Sequence, residues 1–227
     1  MKINLVNENS VIIYFSDTVS IETADRIAYA CHLLRNGLAT MLSDIVPSYT
    51  SILLSCNLRK TGLQGFVLAV KRVLEQIEAH NVDTPAAKQI TLPVYYGEEV
   101  ALDYAEISEH VGLPFSEVVK LHTSECYRVF AIGFAPGFAY LGNTPESMTM
   151  PRKMTPRAKV PKGSVAIADQ QTAVYPRSSP GGWQVIGRTP VNLLDFSQDN
   201  LSQFSVGEHV RFEAIDRVTF LAMGGEL

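Results

Sequence analysis

The sequence predicts two domains of different class, an α+β domain over residues 1–90 and a mostly-β domain over residues 91–227. Three observations carry this. Strand and helix signals alternate through the first ninety residues, and helical periodicity disappears beyond residue 123. Between residues 133 and 190 lie seven of the fifteen glycines and eight of the twelve prolines, cutting the chain into short apolar pieces separated by turns. A length of 227 residues accommodates two ordinary domains. With 46% hydrophobic and 19% charged residues, the chain can bury full cores.

The elements follow in order. Val11-Ile12-Ile13-Tyr14-Phe15 comes after the turn-like Asn7-Glu8-Asn9-Ser10 and reads as a strand. Ser20 is placed to cap a helix, with Glu22 and Asp25 in its first turn and Ile21, Ala24, Ile27, Ala28, Cys31 and Leu34 at helical spacing. Gly37 stops it. Met41 to Val46 and Ser51 to Leu54 bracket Pro47-Ser48-Tyr49 as a hairpin, and a second amphipathic helix carries Leu63, Phe66, Val67, Val70, Val73, Leu74 and Ile77. Ile90 to Tyr96 closes the set as a strand. Strands flanking two helices in this order predict an open sheet with both helices on one face, a ferredoxin-like arrangement. Polar and small residues from 78 onward lead into Thr84-Pro85-Ala86-Ala87, the expected link.

Residues 102–122 read as two short helices joined by Gly112-Leu113-Pro114. The shape invites a helix-turn-helix, but a recognition helix must offer basic or amide groups to phosphates and base edges. Residues 115–121 offer one lysine and one glutamate, so these are expected to be packing helices. A net charge of −4 likewise does not point to nucleic acid or an anionic membrane as partner. Past residue 123, Cys126 to Phe134, Ser164 to Ala168, Trp183 to Ile186 and the closing Val206 to Phe212 predict a barrel or sandwich with elaborate loops.

No apolar run approaches the ~20 residues that span a bilayer. The first sixteen residues lack the apolar stretch of a secretory signal. Cys31, Cys56 and Cys126 are odd in number and form no CxxC, which argues against disulfides and against zinc. A cytoplasmic protein is expected. The phosphate loop GxxxxGK[ST] is absent, as are GxGxxG, HExxH and GxSxG, and none of the five histidines is paired at metal spacing.

Two stretches carry the chemistry. Residues 133–142 read GFAPGFAYLG, without a charge. From Pro151 to Pro190 the basic residues Arg152, Lys153, Arg157, Lys159, Lys162, Arg177 and Arg188 are opposed by Asp169 alone. Beside glycine-rich loops such an excess can hold a carboxylate, phosphate or carbamate, because arginine bonds bidentately and glycine lets backbone N–H groups approach. It can equally be a solvated rim or a face for an acidic partner. His122, just before the first stretch, is either a satisfied structural residue or a group that titrates near neutrality.

LHTSECYRVFAIGFAPGFAYLG, then PRKMTPRAKVPKGSVAIADQQTAVYPRSSPGGWQVIGRTP, then VGEHVRF together resemble the PxpB family of 5-oxoprolinase subunits, also known as KipI and as allophanate hydrolase subunit 1. The resemblance runs over the whole second half, with three motifs in order. It implies a ferredoxin-like N-terminal domain followed by a cyclophilin-like barrel. It also implies a homologous second subunit of the allophanate hydrolase subunit 2 (KipA-like) type, and a lactam-utilisation subunit. Together these would open 5-oxo-L-proline to L-glutamate, with ATP as co-substrate bound mainly on a partner, no cofactor on this chain, and no activity of the chain alone. The alternatives are a KipI-like inhibitor of a sensor histidine kinase, and a subunit of another cyclic-amide or urea-type amidohydrolase or carboxylase.

On this reading GFAPGFAYLG is a loop at the barrel mouth. Phe134, Gly137, Phe138 and Tyr140 line a pocket for a small carboxylate or cyclic amide, Arg157 takes the carboxylate, Gln184 takes the amide, and His122 serves as acid or base. The bland alternative is a hydrophobic plug that only closes the barrel.

Overall fold

The computed structural model describes residues 1–79, 88–197 and 201–227. The expected link at residues 84–87 lies outside the described residues. The chain divides into two compact units, residues 1–87 and 88–227.

The first unit runs β1 (Lys2–Leu5), β2 (Ser10–Tyr14), α1 (Ile21–Gly37), β3 (Leu42–Pro47), β4 (Ser51–Cys56), α2 (Leu63–Ala79). Its four strands form one antiparallel sheet in the order β1-β2-β4-β3. Alternation decides the buried face: Val11, Ile13 and Phe15 lie beside Ile52, Leu54 and Cys56, and Ile27 and Leu34 of α1 and Phe66, Val70 and Leu74 of α2 close over them. Both helices therefore cover the same face. Ser20 caps α1, its Oγ accepting from the Thr23 N–H at 3.1 Å.

One expected element belongs elsewhere. The strand anticipated at Ile90–Tyr96 is β5 (Gln89–Tyr95), and it lies in the second unit; the edge of the first sheet is supplied by β1. The reason is pairing at long range. Seven residues of β5 run parallel to seven of the closing strand, from Gln89 opposite His209 to Tyr95 opposite Ile215, and no local pattern announces such a partner.

After β5 the second unit continues with α3 (Tyr104–Val111), α4 (Phe115–Ser124), β6 (Cys126–Ile132), β7 (Ala139–Gly142), β8 (Arg157–Val160), β9 (Ser164–Ala168), β10 (Gln171–Val174), β11 (Ser179–Gly181), β12 (Gln184–Arg188), β13 (His209–Ile215) and α5 (Arg217–Ala222). Seven strands close into a barrel in the order β10-β7-β6-β13-β5-β12-β9, and β8 and β11 form a separate ribbon. The barrel interior is filled by Leu92, Val94, Tyr127, Val129, Leu141, Val165, Ile167, Val174, Ile186 and Phe212, with Ile107 of α3 and Val118 of α4 packed into the same core. That burial makes α3 and α4 packing helices.

β9 is buried along its whole length. Val165 and Ile167 point into the barrel, whereas Ala166 and Ala168 join an outer cluster with Phe138, Val160, Ala173, Tyr175, Trp183 and Val185. Large side chains face inward. Outward, alanines leave room for large rings to lie against the barrel wall.

Candidate functional site

The predicted site residues separate into three places. His122, near the end of α4, is fully buried in the barrel interior, its ring stacked on Phe212 at 4.5 Å between centroids. Both ring nitrogens are engaged, Nδ1 with the Tyr96 hydroxyl at 2.8 Å and Nε2 with the Thr172 Oγ1 at 2.9 Å. Thr172 gives its one hydroxyl proton to the Ala166 carbonyl at 3.1 Å. It must therefore accept from Nε2, which leaves Nδ1 to accept from Tyr96. This neutral tautomer is fully satisfied, and burial pushes the His122 pKa down to about 3. Sealed and unprotonated at neutral pH, His122 is a core residue and is not positioned as an acid or base at an open cavity.

The aromatic residues lie on the other side of the barrel wall. Along β10, Thr172 faces His122 inside while its neighbour Ala173 faces the outer cluster. There Phe138 meets Tyr140 at 5.0 Å, Tyr175 at 5.3 Å and Trp183 at 5.7 Å, each edge to face. Phe138, Tyr175 and Trp183 are buried, so these rings pack against one another rather than walling an open cleft. Phe134 is the exception. It holds φ at 68°, a left-handed conformation uncommon outside glycine, and its ring is 64% exposed at the rim, tilted against Phe138. Gly137 has φ of 76°, and a Cβ there would stand 2.6 Å from Leu194 Cδ2, so the position needs glycine. The Gly133 N–H bonds to the Phe138 carbonyl and the Phe138 N–H to the Ala135 carbonyl, both at 3.0 Å. Both donors are spent on the loop's own shape.

Arg157 and Gln184 are brought together, with partners the sequence did not disclose. The Arg157 guanidinium grips Asp103 bidentately, Nη1 donating to Oδ2 at 2.7 Å and Nη2 to Oδ1 at 2.6 Å. Lys153 Nζ donates to Asp103 Oδ1 at 2.8 Å, to Glu106 Oε2 at 2.6 Å and to Gln184 Oε1 at 3.4 Å. The Gln184 amide donates to the Pro151 carbonyl at 3.2 Å and to Glu106 at 3.3 Å. Asp103 also accepts from the Val185 N–H at 2.7 Å, and its side chain is 2% exposed. Burial alone would raise the Asp103 carboxyl, but hydrogen bonds from Arg157, Lys153 and Val185 together hold its pKa below the ordinary value. For Lys153, burial is likewise outweighed by Asp103 and Glu106, and its pKa is raised.

The expectation that Arg157 presents a free fork to a substrate carboxylate is thus corrected: Asp103 occupies that fork. Nothing in the sequence singles out Asp103, since an aspartate directly before a helix is ordinarily a cap. Here it stands at the N-cap of α3 yet makes no side-chain capping bond.

The charged cluster adjoins the aromatic one. Lys153 N–H donates to the Gly182 carbonyl at 2.7 Å, and the Arg152 guanidinium lies 5.6 Å from the centre of the Trp183 ring. Residues 151–157 form a strap across Gly182, Trp183 and Gln184. Open clefts of about 320 and 580 Å³ lie in the first unit, lined by residues such as Met1, Ile3, Lys71 and Tyr14, and hold none of the predicted site residues. Among the described residues no group of His, Cys, Asp or Glu side chains is arranged to hold a metal, and no helix is long and apolar enough to cross a membrane.

The second unit is thus a seven-stranded barrel with an aromatic and an ionic cluster at β12, and the first an antiparallel sheet covered by two helices. The family described as carboxyltransferase domain, subdomain C and D, matches residues 1–204, and the chain belongs to it. Its relatives include the 5-oxoprolinase B-type subunit of Escherichia coli O157:H7, 42% identical over 63% of this chain, and that of Bacillus subtilis strain 168, 29% identical over 97% of this chain and 95% of its own length. The aligned part spans 66% of the Escherichia coli protein. In the crystal structure of TTHA0988 the likeness covers 91% of this chain and 40% of that longer one, at 30% identity and a TM-score of 0.77. The resemblance to the PxpB family of 5-oxoprolinase subunits, read from three motifs, is borne out.

Proposed function

We propose that this chain is a subunit of a 5-oxoprolinase, opening 5-oxo-L-proline to L-glutamate together with a homologous second subunit and a lactam-utilisation subunit. The observation that carries the reading is the near end-to-end match to the Bacillus subtilis protein, which is named as a 5-oxoprolinase subunit. Two architectures belong to the same reading. The sheet with both helices on one face supports a ferredoxin-like unit, and the closed barrel supports a cyclophilin-like one.

Lactam opening at neutral pH requires an activated carbonyl, which ATP supplies by phosphorylating the amide oxygen. With His122 sealed and neutral, this chain contributes position rather than proton transfer. The end of β12, where Trp183, Gln184 and the strap meet, is where a small carboxylate or cyclic amide would be held against a partner. ATP and the chemical step fall to the other subunits, and the chain alone is inactive.

A second reading, a subunit of a urea-type carboxylase, is favoured by the carboxyltransferase description of the matching family. Co-expression with the two partner subunits and an assay for ATP-dependent glutamate release from 5-oxoproline separates them. Glutamate release supports the first reading. Turnover of urea in its place supports the second, and binding to a histidine kinase without any turnover favours the inhibitor alternative.

A further inference from the structure

Between the aromatic and ionic clusters lies a fixed part that the proposed activity does not by itself explain. Asp103 is tied to β12 in both directions, its own N–H donating to the Val185 carbonyl at 3.1 Å and its carboxylate accepting from the Val185 N–H at 2.7 Å. The same carboxylate receives Arg157 through two bonds and Lys153 through one. Arg157 opens β8 and Lys153 lies within the strap, so one nearly inaccessible carboxylate joins the start of α3, strand β12 and both ends of the segment 153–157. That segment lies along Gly182 through the Lys153–Gly182 bond, with Pro156 packed 3.6 Å from where a Gly182 Cβ would stand. Arg152, next to Lys153, covers Trp183, which is 5% exposed.

We propose that Asp103 is a positioning residue: it latches the 151–157 strap down over Trp183 and Gln184, and so sets the face that this end of the barrel presents to a substrate carboxylate or cyclic amide. The proposal rests on the reading of β12 as the site. Its physical basis is that a buried carboxylate with four donors holds each of them in one geometry, and removing its charge leaves the Lys153 and Arg157 cations without their shared counter-ion. The strap then keeps the Lys153–Gly182 and Gln184–Pro151 bonds and the Arg152–Trp183 contact, and its hold on β12 is weakened.

The chain contains one tryptophan, Trp183, directly beneath the strap, so its emission reports the strap's position without a label. In the full-length protein, Asp103→Asn should red-shift Trp183 emission and raise its acrylamide quenching constant severalfold, with the far-ultraviolet circular dichroism unchanged. Lys153→Met removes one of these ties from the strap side, together with the Lys153 bonds to Glu106 and Gln184, and leaves the Arg157–Asp103 pair in place; it should shift the emission and the quenching in the same direction by a smaller amount, and it serves if Asp103→Asn does not fold. In the assembled complex either variant should raise KM for 5-oxoproline about tenfold with a smaller change in kcat. Trp183 shielding as in the parent protein in both variants overturns the latch, whatever the activity. Unshielded Trp183 with unchanged KM in an active complex overturns the positioning role. If the parent complex fails to release glutamate, the proposed function falls, and the fluorescence arm still decides the latch.

Discussion

His122 ties the stability of the barrel to pH. Its folded-state pKa of about 3 lies far below the 6.5 of an exposed imidazole. As pH falls below 6.5 the unfolded chain takes up a proton that the native core refuses, so stability declines with falling pH by up to about 1.4 kcal/mol per unit. Between pH 7.5 and 5 the loss from this one side chain is about 2 kcal/mol. Denaturant titrations at the two pH values should show it, and His122→Gln, which retains a donor and an acceptor, should largely remove it. Equal losses in both proteins would exclude His122 as the cause. Two glycines of one loop make a second test at this scale. Gly137→Ala combines a positive φ with a Cβ against Leu194 and should destabilise by about 1–3 kcal/mol. Gly133→Ala points into open space and should stay within about 0.5 kcal/mol.

At the scale of elements, the wall formed by β9, β10 and β12 works by a difference in side-chain volume between its two faces. Ala173 is fully buried beneath the outer rings, so Ala173→Leu should destabilise the second unit by about 1–3 kcal/mol through overpacking, measurable as a lowered thermal midpoint. An unchanged midpoint would mean that the rings yield. The same wall explains what could be read beforehand. The helices, the 42–56 hairpin and the β character of the second half follow from local periodicity and turn residues, and the sequence shows them plainly. That the second half contains unusual aromatic and basic segments was equally visible. Which side of the wall each residue faces was not, because adjacent positions such as Thr172 and Ala173 point oppositely and only strand pairing decides which one is inside. The Asp103 carboxylate was hidden for a related reason: its partners Lys153, Arg157 and Val185 lie fifty or more positions away in the chain.

For the whole molecule, the parallel pairing of β5 with β13 fixes where the second unit must begin. A chain of residues 88–227 should fold alone, with circular dichroism and cooperative melting of a β protein, whereas residues 97–227, which lack the strand between β12 and β13, should not. Cooperative melting of the shorter chain would show the barrel closing without β5. The pairing also governs timing during synthesis. Both neighbours of β5 come from the last quarter of the chain. While everything between Tyr95 and Gln184 is being made, a strand carrying Ile90, Leu92 and Val94 has two bare edges, the condition under which strands of different chains find one another. The nascent protein therefore stays vulnerable until late, and a message truncated before codon 209 yields a product that lacks the strand that closes the barrel and is prone to aggregate.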